Sequence, residues 1–240
     1  MNAQELTALT TAIRSMLPPG VAVAATTTRQ PLRPLMESER QATASMAPQR
    51  LLEFSAGRTC AHRALQELGL PSNWIPIGPQ REPLWPAGVV GSISHSRDLA
   101  VATVAPLALL PGIGIDIEPA LPLDPDLVNR ICRPAELARL RGDPNMALRA
   151  KFVFSAKESV YKCLWPSTRL FLDFIDVEIV MGDSDSNFRV IGWGPLQELS
   201  CASLVGRTMV VAGHIITVAH PEAAGQESRR FTPDLRSGPL

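Results

Sequence analysis

The sequence predicts an α+β fold made of two similar halves, with mostly antiparallel sheets and packed helices. Three observations predict it. Short apolar runs such as Val89–His95 and Leu99–Ala105, separated by the turn residues Ser96-Arg97-Asp98, read as hairpin strands. Two long segments, 48–69 and 146–164, read as helices. The element order also repeats in outline: helix, strand, helix and hairpin, then strand, helices and further strands. The 240 residues suffice for one large domain or two small halves around a buried core. We place an N-terminal half at 1–108, a C-terminal half at 109–222 and a flexible tail at 223–240.

Each element follows from local pattern. Residues 5–17 set Leu6, Leu9, Ile13 and Leu17 at helical spacing, and Pro18-Pro19-Gly20 stops that helix. Val21 to Ala24 reads as a buried strand, and 26–40 reads as loop until Met36. On the helix at 48–69, Phe54, Ala61, Leu65 and Leu68 form one stripe, with Gly69 as the stop. Gly57 in its middle costs roughly 1 kcal/mol against alanine, which points to close packing or a ligand there. Residues 71–88 hold five prolines and form an ordered loop. After the hairpin comes a strand from Ile113 to Glu118, then short arginine-rich helices over 124–142. The helix at 146–164 is ended by Pro166, and strands are expected at 174–181, 188–193 and 209–219. From Pro221 the chain turns polar, rich in Gly, Ser, Arg and Pro.

Composition narrows the function. Hydrophobic residues make up 45%, charged residues 19%, and formal net charge is zero. No global basic field exists to hold nucleic acid, so any polyanion site must be a local cluster. Cys60, Cys132, Cys163 and Cys201 include no C-x-x-C pair, which argues against a zinc ribbon or redox dithiol and for reduced thiols in a cytoplasmic setting. No charged start followed by an apolar run marks a signal peptide. The most apolar stretch, 99–115, is broken by Pro106 and Pro111 and is read as strands and a turn, not a membrane span.

Four constellations carry chemistry. In Gly112-Ile113-Gly114-Ile115-Asp116-Ile117-Glu118, strand alternation turns Asp116 and Glu118 to one face and Ile115 and Ile117 to the core. Two carboxylates that close repel, and a divalent cation such as Mg²⁺, or Mn²⁺ in its place, relieves them; a solvated strand face satisfies the same spacing. In Phe152 to Lys162, Glu158 and Lys162 stand four apart on one helix face. They read as an ordinary ion pair or, given the apolar neighbours Phe152, Phe154, Val160 and Tyr161, as site residues. Gly91 to Ser96 ends a strand with Ser94 and His95, which suits phosphate binding or a plain turn. A Ser–His catalytic pair is not supported, because adjacent strand residues face opposite ways and no nucleophile elbow surrounds them. Arg50 and Arg58 lie eight apart on one helix and Arg81 in the proline-rich loop; together they suit a phosphate clamp, singly they are surface arginines.

Taken together these segments resemble the Sfp-type 4′-phosphopantetheinyl transferases, most of all the enterobactin-synthase component D branch. The resembling pieces, in family order, are Phe54-Ser55-Ala56-Gly57-Arg58 through Ala61, Arg81-Glu82-Pro83-Leu84-Trp85-Pro86, Gly91 to Ser96, Gly114 to Glu118 and Phe154 to Lys162. Phe154 and Ser159 stand where the family often has Trp and Ala. The resemblance implies coenzyme A in a cleft between the halves and metal ligands at Asp116, Glu118 and Glu158. It places Arg50, Arg58, Arg81, Ser94 and His95 around the nucleotide, with His95 near the 3′-phosphate, and turns Lys157 and Lys162 to the pyrophosphate.

The expected reaction is transfer of 4′-phosphopantetheine from coenzyme A to a serine of an apo acyl or peptidyl carrier protein, with release of 3′,5′-ADP. Glu158 is the expected proton acceptor and Lys162 the charge stabiliser. A basic border of Arg130, Arg133, Arg139 and Arg141 would meet an acidic carrier; a solvated arginine-rich helix pair is the other reading. Neither nucleic acid nor membrane is an expected partner, and a monomer is expected. A coenzyme A or carrier-binding module without catalysis, and a Mg²⁺-dependent phosphohydrolase, are the competing functions.

Overall fold

The computed structural model describes residues 1–41, 43–71, 75–182, 185–192 and 204–222. Asn2 opens α1 (Ala3–Ser15) with a capping box, its side chain accepting from Glu5 N while the Glu5 carboxylate accepts from Asn2 N. There follow β1 (Ala22–Thr27), a short α2 (Glu37–Gln41) and the long α3 (Pro48–Glu67), whose first position is a proline. Next come β2 (Val89–Ser96), β3 (Leu99–Pro106) and β4 (Gly114–Pro119). The C-terminal half adds α4 (Pro125–Ile131), α5 (Pro134–Leu140) and α6 (Met146–Thr168), then β5 (Glu178–Met181), β6 (Asn187–Gly192), β7 (Leu204–Val211) and β8 (His214–Pro221).

The strands form two antiparallel sheets, in the orders β1-β3-β2 and β4-β8-β7-β6-β5. Period-two alternation sorts each sheet between two cores. On β3, Ala100, Ala102 and Val104 meet α3, while Leu99, Val101 and Ala105 enter a core shared by both sheets and α1. On β8, Ile215 and Ala219 join the core with α6, while Ile216 and Val218 join the shared core. On β4, Ile115 and Ile117 are fully buried in that shared core, which leaves Gly114 and Asp116 on the α6 side.

Two close approaches set the site. A Cβ on Gly114 would overlap the Ser159 carbonyl, so the missing side chain lets α6 lie against β4. The edges β2 and β4 meet without a backbone ladder. Ser92 Oγ accepts from Ile115 N at 3.1 Å and Ser94 Oγ accepts from Ile117 N at 3.3 Å. Two hydroxyls thus satisfy backbone donors that a neighbouring strand would otherwise take. Gly57 faces Ile93 across the α3–β2 contact, which accounts for that glycine by packing.

Three local expectations are corrected. The helix does not end before Pro166; α6 runs to Thr168, and the hydroxyls of Ser167 and Thr168 both donate to Leu164 O at 3.0 Å near the proline, which has no N–H to give. The expected single strand at 209–219 is a hairpin, because Ala212 and Gly213 take left-handed φ values of 50° and 75°, the geometry of a tight two-residue turn. A single 3₁₀ turn, Phe174–Asp176, replaces the start of the strand at 174. The expected loop does end at Met36, and the helix Glu37–Gln41 begins directly after it. Cys201, the end of the strand expected at 188–193 and the tail 223–240 lie outside the described residues.

Candidate active site

The site forms where β2, β4 and α6 meet. Asp116 points from β4 toward α6 and is 3% exposed. Its Oδ1 accepts from Lys162 Nζ at 2.6 Å and Ser94 Oγ at 3.0 Å, and its Oδ2 accepts from Ser155 Oγ at 2.8 Å. Ser155 also shares a hydrogen bond with Thr217 on β8, which fixes its rotamer. Lys162 donates further to Ser94 Oγ at 3.2 Å and lies 3.9 Å from Glu158 Oε2. Its ammonium is therefore held between the two halves. Burial alone would lower the Lys162 pKa, but Asp116, Glu158 and Glu118 outweigh it and hold it above its ordinary value.

Glu158 behaves differently. Burial pushes its carboxyl up; Lys162 opposes this, while Asp116 and Glu118 add to it by repulsion. Lys162 stands nearer to Asp116 than to Glu158, so Glu158 feels two like charges and only a partial counter-ion. Glu118 lies on the same face, paired with Lys151 at 2.8 Å. Among the described residues no three acidic, histidine or cysteine side chains are gathered as metal ligands as they stand. Asp116 and Glu158 turn to Lys162, and Glu118 turns to Lys151. In donor type the set fits a hard divalent cation: three carboxylates face one region, and two ammonium groups serve as their counter-ions.

From the first half, α3 brings Arg50 and Glu53 to the end of β2. Arg50 Nη1 meets His95 Nε2 directly, and His95 Nδ1 lies 3.6 Å from Glu53 Oε2. Burial lowers the His95 pKa, Arg50 and Lys162 lower it further, and Glu53 and Asp116 oppose. Ser94 and His95 face opposite ways, as alternation requires. Arg58 is only 5% exposed, stacked over the Phe54 ring at 4.6 Å and 3.8 Å from Glu39. Burial pulls its pKa to about 10, with Glu39 opposing and Arg50 contributing. A groove of about 210 Å³ opens beside Lys162, lined by Arg81, Trp85, Ile93, Tyr161 and Trp165 among others.

Comparison with known proteins decides the family. Residues 38–105 match the model of the 4′-phosphopantetheinyl transferase N-terminal domain, and residues 112–219 match that of the 4′-phosphopantetheinyl transferase superfamily. The 4′-phosphopantetheinyl transferase Svp of Streptomyces mobaraensis is 34% identical over 82% of this chain and 84% of its own. The chain belongs to the 4′-phosphopantetheinyl transferases. PptT of Mycobacterium tuberculosis is 36% identical over 68% of this chain and 69% of its own. Enterobactin synthase component D of Escherichia coli K12 is 40% identical over 55% of this chain and 62% of its own. As a phosphopantetheinyl transferase, this protein moves phosphopantetheine onto a carrier protein.

One expected residue of the transferase site lies elsewhere. Lys157 is 3% exposed, and its ammonium donates to Glu136 Oε2 at 2.7 Å and to the carbonyls of Ile131 and Phe174, both at 2.8 Å. Those three acceptors take up all three N–H donors of the ammonium, which leaves none for a pyrophosphate. This corrects its expected place at the pyrophosphate. Two of the expected carrier-facing arginines, Arg133 and Arg139, are also engaged, both with Glu178. The sequence reading passed over Ser155, Lys151 and Glu53. Ser155 precedes Glu158 by three positions and so shares its helix face, which was the one signal available for it.

Proposed function

We propose that the transfer takes place where β2, β4 and α6 meet, with coenzyme A as donor and an apo acyl or peptidyl carrier protein as acceptor. The observation that carries this reading is the Lys162 ammonium, bonded to Asp116 on β4 and Ser94 on β2 with Glu158 beside it. It puts a fixed positive charge at the seam between the halves, where a diphosphate would develop negative charge. Arg50 and His95 would hold the nucleotide end, with Arg58 behind them, and Arg81 would line the groove that takes the pantetheine arm.

In the reaction the carrier serine Oγ bonds to the pantetheine-side phosphorus, the bridging P–O bond breaks, and 3′,5′-ADP leaves with that bond's electron pair. The serine proton passes to Glu158, whose carboxyl is already raised toward proton affinity by burial and by Asp116 and Glu118. Lys162 screens the charge that accumulates on the phosphoryl oxygens. Asp116, Glu118 and Glu158 would hold Mg²⁺ or Mn²⁺, which supplies further charge neutralisation and orients the diphosphate. The site draws on both halves of one chain, which supports a monomer. The buried, unbridged Cys60, Cys132 and Cys163 suit a reducing compartment.

The test is to incubate the protein with coenzyme A, Mg²⁺ and an apo carrier protein, then weigh the carrier. A gain of one phosphopantetheine is expected. Coenzyme A hydrolysis without labelling would identify a hydrolase, and neither product would identify a binder.

A further inference from the structure

An ion pair joins the two walls of the groove. Arg169 Nη1 donates to Glu82 Oε1 at 2.5 Å, linking the proline-rich loop of the first half to the end of α6 in the second. Both residues line the groove together with Arg81 and Trp165. The Glu82 side chain is 11% exposed and the Arg169 side chain 54%. Glu82 is held in place from behind: its Oε2 accepts from Gln80 N at 3.0 Å, and its backbone carbonyl accepts from Gly78 N at 2.8 Å. A Cβ on Gly78 would overlap the Glu82 carboxylate, so the loop is shaped around this acid.

Backbone geometry points to the same place. Arg81 and Arg169 have left-handed φ values of 66° and 54°, two of the five such non-glycine residues described, and both lie on this groove. Such residues persist where their surroundings over-determine them, and they gather at ligand sites. Arg169 caps α6 in that conformation and also lies 5.9 Å over the Trp165 ring, so its side chain crosses the groove with support on both sides.

We propose that Glu82 and Arg169 form a latch that sets the width of the groove and selects at the thiol end of coenzyme A. With the latch closed, the groove takes the free thiol arm. An S-acyl group adds apolar volume that must push against, and desolvate, a charged pair at the wall, which disfavours it. This rests on the reading of the groove as the pantetheine seat.

The experiment compares kcat/KM for coenzyme A and for a medium-chain S-acyl-coenzyme A in Arg169→Gln, Glu82→Gln and Arg169→Lys. In the two glutamine variants the acyl-to-free ratio should rise by about two- to fivefold, the range that a half-exposed ion pair supports. Arg169→Lys, which keeps the charge, should stay near wild type. Raising salt should lift the ratio in wild type and leave Arg169→Gln unmoved, since screening acts only on a pair that exists. Trp165→Ala tests the seat itself: it should raise KM for coenzyme A while leaving inhibition by 3′,5′-ADP, which has no pantetheine arm, unchanged. If Trp165→Ala behaves so but the glutamine variants keep the wild-type ratio, the latch is refuted and the seat stands. If Trp165→Ala leaves KM for coenzyme A unchanged, the seat is wrong and the latch falls with it.

Discussion

Replacing Glu158 with Gln should move activity and stability in opposite directions. The Glu158 carboxylate lies 3.9 Å from Lys162 Nζ, an attraction of about 4 kcal/mol at an effective dielectric near 20, before solvation costs are counted. Yet its pKa is raised, so burial and repulsion from Asp116 and Glu118 together exceed that attraction. By linkage, an acid whose folded pKa lies above its unfolded value opposes folding when ionised. The opposition is complete above the folded pKa and fades as pH falls through it toward the unfolded value. In protein freed of divalent metal, Glu158→Gln should therefore melt higher than wild type at pH 7, by about 1–3 °C. At a pH below both values the two should coincide. Turnover should fall by about 10²–10⁴-fold, the usual contribution of a positioned proton acceptor. Differential scanning calorimetry in chelator at pH 7 and near pH 3, with a carrier-labelling assay in Mg²⁺, reads both. Added Mg²⁺ should raise the melting temperature of wild type and do little for the variant. Near-wild-type turnover in Glu158→Gln would remove Glu158 from the chemistry, and a lower melting temperature at pH 7 would refute the electrostatic reasoning.

Three further outcomes test neighbouring parts of the structure. His95→Ala should raise KM for coenzyme A about tenfold, the weight of one charge-assisted hydrogen bond, and leave KM for dephospho-coenzyme A unchanged; an unmoved KM for coenzyme A would contradict a 3′-phosphate role. Lys157→Met leaves Glu136 buried without its cation and should cost about 3–5 kcal/mol in urea unfolding, whereas a loss of turnover without a loss of stability would return Lys157 to the site. Gly114→Ala should lower both the melting temperature and kcat, because the added methyl meets the Ser159 carbonyl and must push α6, with Glu158 and Lys162, away from Asp116; a stable, fully active variant would show that this contact is not needed.

What the sequence disclosed depended on the range of the interactions involved. Strand alternation alone turns Asp116 to one face and Ile117 to the other, and the structure agrees because both neighbours of Asp116 on β4 are buried in the shared core. The hairpin at Ala212-Gly213 was missed because Ala is an uncommon residue at a left-handed position, and the apolar run on either side reads as continuous. The length of α6 was misjudged because Pro166 signals a stop, while the two hydroxyls that both donate to Leu164 O follow the proline in sequence. Lys157 was misplaced for a longer-range reason. Nothing in the local segment shows that Glu136, twenty-one residues earlier on α5, reaches under the helix to meet it. Neither could spacing along the chain show that Glu82 meets Arg169 across 87 residues.

The seam between the halves explains why the charged groups are tolerated at all. Asp116 is buried and would be costly if left alone. It is satisfied by donors from both neighbouring elements: Ser94 from β2, and Ser155 and Lys162 from α6. Ser94 at the same time accepts from Ile117 N, so the hydroxyl that orients the acid also substitutes for a missing ladder bond. Alanine at position 94 would thus remove one donor from a buried carboxylate and one acceptor from a buried backbone amide. Either loss alone costs about 1–3 kcal/mol when a buried polar group is left unmet. Joining the halves through serine hydroxyls rather than a strand ladder leaves Lys162 reaching both of them from α6. A diphosphate that bound there would meet a charge already held by two walls and would need no reorganisation of the protein to be stabilised.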